Sequence, residues 1–289
     1  MRSRRNYLKC IGAAATVSVL GVGEAAANEP PSVPEDHPTI STYGHFSVDN
    51  GTVSLSDDET PTSYDQEGDW SDLNDQEEVQ IFIHGFVRNN PPAWARYEAK
   101  ERTQAALEEA GYYNPYTLAF NWDSNVGWAD ANEIAMRNGA KLAQWIRDFR
   151  ADNDRPIRII SHSLGARVAG AVLDALKPDG GQPVSSPADP GRNYVDSVVF
   201  LAAAIGPNEP QMNKQFGPSI QFSTEECYNY HSTNDPVLSE NFLGHAGIAE
   251  PQKAPQNYTD RDVSSDISGH SNYHKPEIGI MDLVADDFS

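Results

Sequence analysis

Strand-length apolar runs alternate along this chain with segments of helical period, and that alternation restricts the fold more than any other feature. Val79-Gln80-Ile81-Phe82-Ile83 reads as a buried strand, and residues 116–122, Pro156-Ile157-Arg158-Ile159-Ile160 and 195–203 repeat the pattern. Between the first two, Pro91-Pro92 opens a helix that Gly111 closes, following the bias toward proline at a helix start and glycine beyond its end. Residues 128–149 carry Ile134, Asn138, Leu142, Trp145, Ile146 and Phe149 along one side, and 164–176 carry Val168, Val172 and Leu176 at four-residue intervals. Strand–helix alternation predicts an α/β fold, a mostly parallel central sheet with helices on both faces. Upstream, residues 43–53 supply one or two short strands. Residues 57–78 hold ten acids and no base, which reads as a solvated connection without the ligand spacing of a calcium loop.

The N-terminus is an address. Ser3-Arg4-Arg5-Asn6-Tyr7-Leu8-Lys9 resembles a twin-arginine export signal, followed by an apolar run over 11–22, too short to span a bilayer, and small residues Ala25-Ala26-Ala27. The expected organisation is a signal at 1–27, a linker at 28–45 and a single domain at 46–289. Cleavage removes four bases and one acid, so the formal charge moves from −21 to −24. Such a surface repels phosphate, which excludes a general nucleic-acid binder. Arginine outnumbers lysine 14 to 7, a composition that fits strong brine, where at about 1 M salt a Debye length of roughly 3 Å screens self-repulsion. Cys10 leaves with the signal, so Cys227 is a lone thiol and packing alone holds the exported chain together. Asn50-Gly51-Thr52 and Asn257-Tyr258-Thr259 are chance-level glycosylation triplets.

Strand, then Ser161-His162-Ser163-Leu164-Gly165, then helix is the setting of a nucleophile elbow: a serine at a tight turn, with small neighbours where backbones pass close. Ser163 is the candidate nucleophile. Attack by serine develops an oxyanion that needs N–H donors. Leu164 supplies one, and the loop His84-Gly85-Phe86 the other through Phe86, with Val87 as the fallback.

The orienting acid and the base follow the serine in the chain. A late strand over 228–232 precedes Asn234-Asp235-Pro236-Val237, which puts Asp235 at a strand's carboxyl end, where open α/β sheets place active groups. Asp196 lies at the wrong end of its strand. Of the later histidines, His270 in Gly269-His270-Ser271-Asn272-Tyr273 is placed as the base, ahead of His274, with His245 last. His162 is expected to turn into the sheet as a structural residue, and His84 is structural too.

Together, Ile83-His84-Gly85-Phe86, Phe120-Asn121-Trp122-Asp123-Ser124, the elbow, Asp235-Pro236-Val237 and His270-Ser271-Asn272-Tyr273 resemble the α/β-hydrolase superfamily over about residues 79–280, closest to bacterial and archaeal hydrolases related to esterases and lipases, of haloarchaeal type. The stretch from Asp235 to Gly247 resembles its counterpart in class 3 lipases, where a structural histidine follows the acid. Ser161 in place of glycine and the missing glycine run after His84-Gly85 depart from the pattern. The resemblance implies a secreted serine hydrolase of small-molecule or lipid carboxylic esters. It requires no metal or cofactor and no stable membrane insertion. Serine at 163 excludes the carboxylate nucleophile of a dehalogenase. Thioesterase, peptidase and acyltransferase share the machinery, and a non-catalytic binding or surface protein shares the scaffold. The presumptive insertions at 178–193 and 207–225 are poor in large aliphatics, so a soluble or short-chain ester is expected rather than a long triglyceride.

Overall fold

A computed structural model describes residues 35–87, 93–113, 116–177, 195–241, 247–250, 252–276 and 278–288. The signal segment, His245 and the 178–193 insertion lie outside them. The chain opens with β1 (Thr39–Ser41), β2 (Phe46–Asp49), β3 (Thr52–Leu55) and β4 (Asp65–Glu67). It continues through β5 (Val79–Ile83), a helical stretch α1 (Ala93–Tyr97, Glu98–Gln104 and Ala105–Glu109, the middle piece wound as a π-helix), β6 (Tyr116–Asn121) and α2 (Trp128–Asp152). Then come β7 (Ile157–His162), α3 (Gly165–Leu176), β8 (Val195–Leu201), α4 (Gly217–Ser223), β9 (Thr224–His231), α5 (Pro236–Asn241), β10 (Tyr258–Asp262) and α6 (Met281–Phe288).

Eight strands form one sheet in the order β10-β9-β8-β7-β5-β6-β1-β4, and β2 and β3 make a separate hairpin. Every pairing in the large sheet is parallel except β1 with β4. Period-two alternation sorts the side chains: Ile81 and Ile83 face the cluster built with α2 and α3, while Phe82 faces the cluster built with α1 and α6. Ile134, Asn138, Leu142, Trp145, Ile146 and Phe149 are all buried, as the sequence period requires.

Two short strands escape the pattern. Thr39–Ser41, assigned above to the linker, pairs with both β6 and β4, because three buried residues suffice once two partners flank them. Asp65–Glu67 lies within the acidic connection and pairs as an antiparallel edge. Residues 207–225 are not a free-standing insertion: Phe216 packs against Gly170 of α3, and α4 leads straight into β9. The Asn257 side-chain amide donates to Ile220 O at 2.9 Å and Thr224 O at 2.8 Å, so it holds a chain turn together.

The acidic connection is anchored from inside. Lys141 on α2 is fully buried, and its Nζ donates to Thr60 O (2.7 Å), Ser63 O (3.0 Å) and Ser63 Oγ (3.0 Å), with His45 Nδ1 at 3.1 Å. Burial holds its pKa below the ordinary lysine value, opposed by Glu59 and Asp65. An ammonium therefore satisfies the turn carbonyls that a surface loop would leave to water. Lys141→Met should destabilise the fold by about 3 kcal/mol, since it strands buried acceptors; denaturant unfolding checks this.

Candidate active site

Helix connections place β5 at a point where the chain steps to β6 on one side and, after α2, to β7 on the other. The carboxyl ends of β5 and β7 therefore border the crevice where open α/β sheets collect functional groups. Ser163 follows β7 directly, at φ 54°. A non-glycine residue in the left-handed region costs of order 1–3 kcal/mol unless its surroundings hold it there. Here they do: Ser163 N–H donates to Leu201 O at 2.9 Å, and Ser163 C=O accepts from Ala204 N–H (2.9 Å) and Ala166 N–H (3.1 Å). The buttressing turn after β8 is itself left-handed, with Ala202 at φ 50°.

Two glycines let the backbones meet. A Cβ on Gly165 would lie 2.4 Å from Ile83 O, and one on Gly85 would lie 2.8 Å from Ser163 Cβ and 3.4 Å from Ser163 Oγ. The loop after β5 thus runs directly against the serine. Ser161, standing where a glycine was expected, points its hydroxyl to Val199 O at 3.1 Å and needs no such clearance. Among the described residues, neither Phe86 N–H nor Leu164 N–H has a hydrogen-bond acceptor. Val87 N–H is already engaged with Ser124 Oγ at 3.3 Å.

Asp235 ends the turn after β9 and is completely buried. Its Oδ1 accepts the N–H groups of Val237 (2.9 Å) and Leu238 (3.2 Å), starting α5 with Pro236 as its first residue. Its Oδ2 lies 2.8 Å from His270 Nδ1. One carboxylate oxygen of Asp235 thus starts α5 while the other meets the His270 ring. His270, on the connection between β10 and α6, completes the line with Nε2 2.8 Å from Ser163 Oγ.

The other histidines do different things. His274 Nε2 pairs with Glu98 of α1, and its ring packs on Phe82. His84 stacks on Trp122, donates Nδ1–H to Gly85 O at 2.9 Å and accepts Trp122 N–H at Nε2 (3.4 Å). Burial lowers its pKa to about 4, so it stays neutral with one donor and one acceptor. His162 does not turn into the sheet as expected: its Nε2 lies 2.8 Å from the backbone carbonyl of His270. Alternation along β7 puts its ring on the face of Ile160, the face where His274 packs on Phe82, and there it meets the His270 connection. Asp123 accepts Gly44 N–H with both oxygens (3.1 and 3.0 Å), tying the loop before β2 to the end of β6. Asp196 sits at the opposite end of the sheet, accepting Ile157 N–H at 2.7 Å. Among the described residues no cluster of His, Cys, Asp and Glu is arranged to hold a metal ion.

A family model described as an alpha/beta hydrolase of unknown function (DUF900) matches residues 68–243. The chain belongs to this alpha/beta-hydrolase family. The matched stretch of this hydrolase includes Ser163 and Asp235 and ends before His270. No curated protein matches it. Among solved structures, an acetylxylan esterase is similar at 13% identity and a TM-score of 0.36, covering 60% of this chain and 87% of that one. A cutinase-like protein from Cryptococcus sp. is similar at 15% identity and a TM-score of 0.34, covering 72% and 85%.

His84 also gives the site a pH signature. Its folded pKa lies below the ordinary 6.5, so between 6.5 and 4 the unfolded chain of this hydrolase binds a proton the native chain refuses, and that stabilisation is lost as pH falls. The stability difference between wild type and His84→Gln should shrink by up to about 1.4 kcal/mol per pH unit across that window, as read by denaturant titrations at several pH values. Gly165→Ala should cost about 1–3 kcal/mol by overpacking against Ile83 O, measurable as a lowered melting temperature.

Proposed function

We propose that this protein is a serine hydrolase that cleaves carboxylic esters through an acyl-enzyme. The observation that carries the reading is the unbroken hydrogen-bonded line from Ser163 Oγ through His270 to Asp235, 2.8 Å at each step, at a left-handed elbow. His270, with Nδ1–H donated to Asp235, presents a bare Nε2 to the serine hydroxyl. It takes that proton as Oγ attacks the ester carbonyl, and Asp235 stabilises the imidazolium that forms. The oxyanion is held by Phe86 N–H and Leu164 N–H, both without another described acceptor. His270 then protonates the departing alcohol. In the second half it activates water, which releases the acid and restores Ser163. No step requires a metal or cofactor.

The natural substrate in this reading is a small-molecule or short-chain lipid ester, supported by the polar composition of 178–193 and by the packing of 207–225 into the fold. Export by the twin-arginine route to the outside or surface of the cell is supported by Ser3-Arg4-Arg5 and the run that follows. No described helix is long and apolar enough to cross a membrane. Work in concentrated salt is supported by the acid-rich, lysine-poor composition.

Hydrolysis of p-nitrophenyl acetate and butyrate in high salt tests the reading. Ser163→Ala and His270→Ala should each lower kcat by at least about a thousandfold, and by no more in combination than alone, because the two act as a unit. Equal rates for wild type and Ser163→Ala would leave only a binding protein on a hydrolase scaffold. Activity on thioesters or peptides but not on esters would redirect the substrate class.

A further inference from the structure

We propose that His162 is a positioning residue for the base: the Nε2–H it donates to the backbone carbonyl of His270 fixes the height of that imidazole over Ser163. The proposal rests on the reading of His270 as base given above.

The need for such a device follows from where His270 sits. Between β10 and α6 the chain makes turns with no regular ladder, tied down at its ends by Val263 N–H to His231 O (2.9 Å) and by Ile280 N–H to Tyr273 O (3.2 Å). Among the described residues, the one hydrogen bond to the backbone of His270 itself is that from His162. The donor is the residue next to the nucleophile. One rigid piece of chain, the end of β7, therefore carries Ser163 and at the same time grips the loop that brings its partner. Nucleophile and base are measured against each other through two covalent neighbours and a single 2.8 Å contact.

The grip cannot swing away. The His162 ring lies between two other imidazoles, with centroids 5.0 Å from His270 and 4.9 Å from His274. His274 is locked in turn by its pairing with Glu98, which the π-helical turn of α1 carries inward and which Arg102 Nη1 also contacts at 3.0 Å. A second histidine–carboxylate pair thus packs against the His162 ring in addition to the first. Burial, with the two neighbouring imidazoles, holds the His162 pKa well below its ordinary value. The ring is therefore neutral, with a proton to donate, and adds no charge beside the imidazolium that forms at His270.

Steady-state hydrolysis of p-nitrophenyl butyrate by the full chain in high salt decides the matter, using His162→Phe, His162→Asn and His162→Gln. Phe keeps a ring without the N–H, Asn has an amide too short to reach, and Gln carries an N–H about where Nε2 stood. Phe and Asn should lower kcat about 10- to 100-fold with KM within about twofold, while Gln recovers kcat to within about threefold of wild type. The downfield proton resonance of the His270–Asp235 hydrogen bond should be sharp in wild type and the Gln variant and broadened in Asn and Phe. Wild-type kcat in folded Asn or Phe variants overturns the proposal, as does a folded Gln variant as slow as Asn. Should Phe fail to fold, the Asn and Gln pair decides by the same criteria. If Ser163→Ala and His270→Ala are inactive while all three variants match wild type, only the positioning role falls; if those two are also fully active, the hydrolase reading itself falls.

Discussion

Everything at the site hangs on a left-handed serine held between two strands' ends. At φ 54° Ser163 occupies backbone space that an L residue enters only under constraint, and the constraint is supplied by its neighbour β8, whose terminal carbonyl and following amide bond both of its peptide groups. Release either bond and the elbow is free to relax toward an ordinary strand-to-helix turn. The strained pair, Ser163 and Ala202, directly follows the paired residues His162 and Leu201 at the ends of β7 and β8, so the cost is met by parallel pairing and burial that the core supplies anyway.

From that fixed point the remaining groups arrive by different routes. The loop after β5 is admitted by the absence of a Cβ at Gly85 and at Gly165. Asp235 is set by a helix start, its carboxylate committed to two backbone amides before it meets the histidine. His270 comes in on turns rather than on an element, and so depends on contacts made by others. Rigid elements carry Ser163 and the loop that runs against it, and His270 is left to the least regular segment.

The elements that could be read from the sequence are those with a long period. The runs at 79–83 and 156–160 and the six inward residues of α2 declare themselves through apolar pattern and helical spacing, and the elbow through its place between a strand and a helix. Short elements defined by their partners do not: Thr39–Ser41 owes its strand to β6 and β4, which no local pattern reveals, and Tyr258–Asp262 is a charged edge strand with β9 alone to define it. The orientation of His162 was illegible for a related reason. Alternation along β7 fixes its face, but the partner on that face, the His270 carbonyl, arrives on a connection more than a hundred positions later that no local pattern reveals. The role of Lys141 was hidden as well, since its partners are carbonyls some eighty positions away.

The divided carboxylate of Asp235 links the folding of α5 to the tautomer of the His270 imidazole. One oxygen cannot leave the helix start without dragging the other from Nδ1, so fraying of the six residues of α5 would be felt as a loosened imidazole beside Ser163. Melting of the helix start and release of the imidazole are, at this carboxylate, the same event.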